Sequence, residues 1–152
     1  MKKVLIAVDY HPVAEQVTNK GYELAKTLGA KVCLIHAVTD VGYYGMEYPS
    51  FMGYNGYNIA TEMDLATEMR NFAEDFMKSV VKHLNDPSVS YHLGDGETSA
   101  VVLDYAVEWN ADLIVMGTHS HSTLEKLLVG TVASKVLEKT RIPVYMVPVK
   151  KH

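Results

Sequence analysis

The sequence predicts an α/β fold: a single doubly wound domain in which four helices cover both faces of a five-stranded parallel sheet. Five short apolar runs of strand length alternate along the chain with four segments whose apolar residues recur at helical spacing. This alternation indicates parallel strands joined by right-handed crossovers. The length of 152 residues suits one domain over 1–152, and a hydrophobic content of 48% argues against disorder.

The first three elements follow one another closely. An apolar run over 4–8 predicts a strand buried on both faces, and a second run over 32–38 predicts another. Between them, Pro12 suits the opening of a helix and Gly29 its C-terminal cap. The residues on the apolar face of that helix are Val17, Gly21, Leu24, Ala25 and Leu28.

A stretch rich in tyrosine and glycine follows at about 42–58. It holds four of the ten glycines and five of the ten tyrosines, and it shows no periodicity. We expect a long loop.

The second helix is predicted to begin at Thr61, which forms a capping-box pattern with Asp64, and to stop at 85–87. A weaker strand over 89–93 and a turn over 94–96 follow. Thr98 or Ser99 can cap the third helix. The apolar face of the second helix carries Leu65, Met69, Phe72, Phe76, Val80 and Leu84. The apolar face of the third helix carries Val102, Tyr105, Ala106 and Trp109.

In the last part of the chain, apolar runs predict a strand over 113–116 and another over 144–147, and a short helical turn is expected over 122–128. Gly130 and Thr131 begin the fourth helix between them. Its apolar residues are Val132, Ala133, Val136 and Leu137.

Composition excludes several classes of function. The net charge is -4 and no long basic run is present, which argues against nucleic-acid binding. The single cysteine, Cys33, cannot form an internal disulfide, and it reads as a small buried hydrophobe in a reduced, cytoplasmic compartment. The N-terminal apolar stretch is too short for a signal peptide or a membrane span.

Ligands of open parallel sheets bind beyond the carboxyl ends of the strands, where the winding reverses. The residues that follow the first, second and fourth strands are Asp9, 37–40 and 117–121. Gly117 can take a backbone shape closed to other residues and leaves room for a ligand. The helix that starts at Gly130 offers free N–H groups to a phosphate. Alternatively, Gly117 only turns the chain and Thr131 only caps a helix.

Three common nucleotide or hydrolase signatures are missing. The sequence has no Walker A pattern, no G-x-G-x-x-G after the first strand and no G-x-S-x-G elbow. A P-loop NTPase, a Rossmann dehydrogenase and an α/β-hydrolase are therefore disfavoured.

Over essentially its whole length the chain resembles the universal stress protein family. The segments that carry the resemblance are 4–9 (VLIAVD), 34–38 (LIHAV), 111–119 (ADLIVMGTH), 127–133 (LLVGTVA) and 142–147 (IPVYMV). The resemblance implies the adenine nucleotide alpha hydrolase-like fold with strand order 3-2-1-4-5. It also implies a homodimer formed by antiparallel pairing of the last strands.

By the same resemblance, the ligand is ATP, ADP or AMP, with or without Mg²⁺, bound as a sensor in stress response without dedicated catalysis. Val8 and Asp9 would line the adenine and ribose, Ala37 would contact the adenine, and Met116 and Gly117 would form the floor. The residues around the phosphates would be His119, Ser120, Gly130, Thr131 and Val132.

Nucleotide-binding members of the family carry G-x2-G-x9-G-[ST]. This chain matches it at Gly117, Gly130 and Thr131 but has Ser120 at the second glycine, and His121 stands where an arginine is common. A residue other than glycine in left-handed backbone costs roughly 1–2 kcal/mol, about tenfold in affinity. We therefore expect weakened rather than abolished binding.

Several alternatives remain open. The chain can be a dimeric interaction or signalling module that binds an unknown protein partner and no nucleotide, or a weak hydrolase in which Asp9 holds Mg²⁺ and His119 or His121 acts as base. A metal site at His119 and His121 is disfavoured because no second ligand pair sits at ligand spacing. His36 is interpreted as a hydrogen-bonded core histidine. The Tyr/Gly loop can be a lid, a partner surface or an insertion without a role.

Overall fold

The computed structural model describes residues 2–10, 14–38, 62–118 and 130–149. These ranges hold five strands and four helices in strict alternation. The elements are β1 (Lys3–Ala7), α1 (Ala14–Leu28), β2 (Lys31–Val38), α2 (Glu62–Leu84), β3 (Ser90–Asp95), α3 (Thr98–Glu108), β4 (Leu113–Gly117), α4 (Thr131–Lys139) and β5 (Val144–Val147).

The strands form one parallel sheet in the order β3-β2-β1-β4-β5, which confirms the predicted fold class. β1 lies in the middle, where Leu5 pairs with Cys33 on β2 and with Ile114 on β4. The chain order reverses between β1 and β4. Ligands of such sheets bind beyond the strand ends at this reversal.

Alternate side chains of the strands enter two separate cores, as the period-two geometry of a strand requires. Val4 and Ile6 face α1 and α2, where Ala73 and Met77 are fully buried. Leu5 points the other way, toward α3 and α4. Cys33 belongs to this second core and is fully buried, as its sequence context predicts.

Two helix ends form where the sequence predicts them. Gly29 has φ +65°, its N–H donates to the Lys26 carbonyl at 3.1 Å, and the Ala30 N–H donates to the Ala25 carbonyl at 2.9 Å. Glycine adopts this left-handed backbone without a steric penalty. Asn85, with φ 52°, ends α2 in the same way.

The predicted turn over 94–96 is wrong in its first two residues. Gly94 and Asp95 belong to β3 and pair with Ala37 and Val38. Only Gly96, with φ +122°, has turn backbone. Gly94 is glycine because of packing, since a Cβ there would lie 2.4 Å from the Val101 Cγ1 atom.

The predicted cap of the third helix is corrected, whereas the predicted start of the fourth helix at Gly130 and Thr131 is confirmed. Glu97 is the N-cap of α3, and Ser99 instead donates its hydroxyl to the Glu97 carboxylate at 2.6 Å. Gly130 is the N-cap of α4, so Thr131 is its first helical residue rather than its cap. Neither helix start has a side-chain cap hydrogen bond.

Two positions predicted on apolar faces are exposed. Leu28 is 42% exposed and Leu137 is 44% exposed, and each lies in the last turn of its helix. Pro12, Thr61, the 42–58 stretch and the 122–128 turn lie outside the described residues. In the part of the chain that the structure describes, no helix is long and apolar enough to cross a membrane.

Candidate functional site

A cavity of about 310 Å³ opens at the carboxyl edge of the sheet, where β1 and β4 end side by side. Its volume lies at the lower limit of typical small-molecule pockets, which begin at roughly 300 Å³. Eight of the ten predicted site residues line it: Val8, Asp9, Ala37, Met116, Gly117, Gly130, Thr131 and Val132. The other two, His119 and Ser120, lie outside the described residues, as does His121.

The sheet side of the cavity is apolar. Val8, Ala37 and Met116 are each at most 4% exposed and present aliphatic or thioether surface to the opening. Asp9 follows Val8 and is exposed, so its side chain is accessible at this edge. A flat heteroaromatic ring bearing hydroxyl groups fits such a wall, because the ring finds apolar surface and the hydroxyls find a carboxylate acceptor.

The opposite side is formed by the first turns of two helices. Thr98 of α3 and Thr131 of α4 both line the cavity. The first N–H groups of a helix have no partner within it, and its dipole places partial positive charge at this end. Neither N-cap side chain bonds these donors, and such N–H groups are suited to an anionic ligand.

Gly117 lines the cavity, but the reason for glycine differs from the predicted one. Its φ does not lie in the left-handed region, which among the described glycines is occupied by Gly29 and Gly96. A Cβ at position 117 would lie 2.5 Å from the Val17 Cγ2 atom and 3.3 Å from the Val149 Cγ2 atom. Glycine is therefore required for α1 and the segment after β5 to approach β4.

Thr118 lies in the 117–121 range that the sequence analysis places beyond the fourth strand, but the sequence predicts no individual role for it. Its N–H donates to the Val147 carbonyl at 3.0 Å, and its hydroxyl accepts from the Val149 N–H at 2.9 Å. These bonds tie the exit of β4 to the exit of β5 and bring Val149 into the lining. A threonine after a buried strand is too common a pattern to have revealed this role.

His36 contacts the backbone of one lining residue, Val8, and is confirmed as a core histidine. It is 5% exposed, and its Nδ1 atom lies 2.7 Å from the Val8 carbonyl oxygen. Nδ1 must carry the proton to donate to that oxygen, and Nε2 has no hydrogen-bond partner among the described residues. Burial lowers the pKa of His36, although the Val8 carbonyl and the Asp9 charge oppose this effect.

The groups of this arrangement suit an organic anion. Within the described ranges, no group of three or more His, Cys, Asp or Glu side chains is placed to hold a metal. The chemistry available is apolar contact, a carboxylate acceptor and two sets of helix N–H donors.

Comparison with known proteins identifies a family. The model of the Universal stress protein family matches residues 1–148. Universal stress protein A homolog 2 of Coxiella burnetii is 27% identical over 150 residues, which cover 98% of this chain and 96% of that protein.

Solved structures share the fold. The universal stress protein UspA from Lactobacillus plantarum superposes with a TM-score of 0.74 at 18% identity, covering 96% of this chain and 97% of that one. The universal stress protein from Archaeoglobus fulgidus, solved in complex with dAMP, has a TM-score of 0.56 at 21% identity. The superposition covers 96% of this chain and 97% of that one.

Proposed function

The chain belongs to the universal stress protein family, and we propose that it binds an adenine nucleotide as a sensor or regulatory module of the stress response in the cytoplasm. The observation that carries this proposal is the cavity between β1 and β4, with an apolar wall on one side and two helix N-termini on the other. The dAMP complex of the Archaeoglobus fulgidus relative supports the choice of an adenine compound.

Each part of the cavity has a proposed role. Val8 and Ala37 contact the adenine, Asp9 accepts hydrogen bonds from the ribose hydroxyls, and Met116 and Gly117 form the floor. The start of α4, with Thr131 and Val132, donates N–H groups to the phosphates, with His119 and Ser120 contributing from the adjoining segment. Mg²⁺ would accompany the phosphates as a counterion.

Isothermal titration of nucleotide-stripped protein with Mg·ATP tests this function. We expect saturable binding that is lost in Gly130→Glu, because a carboxylate at the start of α4 repels the phosphates. Gly130→Ala is the matched control: Gly130 has φ -61° and ψ 162°, which any residue adopts, and alanine adds no charge. The absence of binding up to millimolar ATP would refute the proposal.

We propose further that binding occurs without dedicated catalysis. Among the described residues that line the cavity, none is lysine or arginine, whereas phosphoryl transfer normally uses such side chains to stabilise transition-state charge. The competing proposal is a weak hydrolase that depends on Asp9. Turnover of ATP by the wild type that disappears in Asp9→Ala would favour the hydrolase.

A nucleotide-independent interaction module is the second candidate function. It is favoured by two sequence features, Ser120 at the second glycine of the family's nucleotide motif and His121 where an arginine is common. Ser120→Gly distinguishes the two functions. If the wild type binds no ATP and Ser120→Gly does, the wild-type pocket does not bind nucleotide. The interaction module is then the better supported function.

A further inference from the structure

One ion pair joins the residue before α3 to the second turn of α4, and the first turns of these two helices line the cavity. The Lys135 Nζ atom of α4 lies 2.8 Å from the Glu97 Oε1 atom, and Glu97 is the residue directly before α3. The Ser99 hydroxyl donates to the same carboxylate oxygen at 2.6 Å. The Glu97 side chain therefore does not cap its own helix but holds a cation that belongs to the neighbouring one.

This pair lies beside the helix ends that face the cavity. Thr98, which follows Glu97, lines the cavity, and so does Thr131. Thr131 precedes Lys135 by four residues, and side chains at that spacing share one face of a helix. The flexible stem of a lysine allows its ammonium group to move along that face.

Both members of the pair are charged and partly accessible. The side chains of Lys135 and Glu97 are 45% and 57% exposed, so solvent and salt screen the attraction between them. Lys135, and to a lesser extent Ser99, lowers the pKa of the Glu97 carboxyl. At neutral pH the pair contributes one positive and one negative charge within about one helical turn of Thr98 and Thr131, which line the cavity.

We propose that Glu97 holds Lys135 back from the phosphate groups, so that the pair sets how strongly the pocket favours adenosine ligands with more phosphates. This inference rests on the proposed function, since it concerns the selectivity of the same site. In the wild type, the opposite electrostatic effects of Lys135 and Glu97 on the phosphates nearly cancel. Removing either partner exposes the charge of the other.

The two single substitutions have opposite expected effects. Glu97→Gln frees the ammonium group, so ATP should bind roughly fivefold more tightly, while adenosine affinity stays the same. Lys135→Met leaves the carboxylate unpaired, so ATP should bind roughly fivefold more weakly, again without effect on adenosine. The double variant should return ATP affinity close to the wild-type value.

The experiment is titration of wild type, Glu97→Gln, Lys135→Met and the double variant with adenosine, AMP, ADP and ATP at low and high KCl. Lys20→Met is the matched control, because it removes a lysine from an exposed pair with Glu23 on α1. Urea unfolding of each variant shows that it is folded. We expect effects that grow with phosphate number and shrink in high salt.

Two results would overturn the inference, and they are distinguishable. Equal changes for adenosine and ATP, or no change for either, would show that the pair does not act on the phosphates, while the proposed function stands. No binding of any of the four compounds to the wild type or to the variants would refute both.

Discussion

Gly117 is the residue of the cavity whose replacement has the most direct structural consequence. Gly117→Ala places a Cβ atom 2.5 Å from a γ-methyl group of Val17, a side chain that is 5% exposed and stiff at χ1. We expect the free energy of unfolding to fall by about 1–3 kcal/mol, the usual cost of overpacking a core. Urea denaturation measures this change.

Val17→Ala supplies the control for Gly117→Ala. The smaller side chain removes the overlap, so the double variant should be destabilised by less than the sum of the two single variants. Additive losses would mean that position 117 requires glycine for a reason other than contact with α1.

His36 makes stability depend on pH. Its pKa is lowered from the ordinary 6.5 because burial disfavours the imidazolium. The unfolded chain therefore binds more protons in this range, and the stabilising contribution of neutral His36 is lost as the pH falls from about 6.5 toward the folded pKa. We expect His36→Asn, whose amide can still donate to the Val8 carbonyl, to lose less stability between pH about 7.5 and about 5.5.

Urea titrations at the two pH values measure this difference. His83→Asn, at an exposed histidine of α2, controls for the loss of any histidine. If the free energy of unfolding falls equally with pH in the wild type and in His36→Asn, buried His36 is not the source of the pH dependence.

Asp86 connects two elements, α1 and the turn after α2. Its carboxylate accepts hydrogen bonds from the Tyr22 hydroxyl at 2.7 Å and the Ser88 N–H at 2.9 Å, and it lies 2.8 Å from the Lys26 ammonium. Lys26, followed by Ser88 and Tyr22, holds the pKa of this carboxyl well below its usual range. The stabilisation is present at neutral pH and is lost only in strong acid, as the pH falls from 3.8 through the folded pKa.

Asp86→Asn should therefore lower the midpoint of thermal unfolding at neutral pH by several degrees, because the charge is lost while the shape is kept. Glu23→Gln is the comparison, since the Lys20–Glu23 contact is longer, at 3.5 Å, and both side chains are well exposed. A smaller effect for Asp86→Asn than for Glu23→Gln would contradict the role of Asp86.

For the whole molecule, the edge strand β5 is the element that bears on assembly. β5 pairs with β4 on one side, and no strand among the described residues covers its other edge. We propose that two copies pair antiparallel along this edge, with Pro148 limiting the pairing because it has no N–H to donate. Sedimentation velocity should show a dimer.

Tyr145→Asp is the test of that interface. Tyr145 lies on β5 and is 43% exposed, so an aspartate there places like charges on the two facing edges. We expect the dimer to dissociate at concentrations where the wild type remains associated. A wild-type monomer, or a variant dimer of unchanged stability, would contradict the proposal.

The sequence by itself determined the five strands, the four helices and the edge of the sheet that carries the cavity. Buried parallel strands require continuous apolar runs, as at 4–8 and 32–38, and Gly29 marks a helix end because few other residues adopt its backbone. These signals are local, so they can be read without knowing what packs against them. Strand ends and helix starts are local features, and they indicate Asp9, Ala37, Gly117, Gly130 and Thr131 as site residues. The resemblance to the family adds Val8, Met116 and Val132, and all eight residues line one cavity.

Only the tertiary structure decided what several of these residues do. Gly117 is required by Val17, which lies 100 residues earlier, and the Thr118 hydroxyl bonds the Val149 N–H, 31 residues later. Glu97 meets Lys135 across two helices, 38 residues apart. No local pattern encodes such contacts, because they depend on how closely α1 approaches β4 and α3 approaches α4 once both cores have packed.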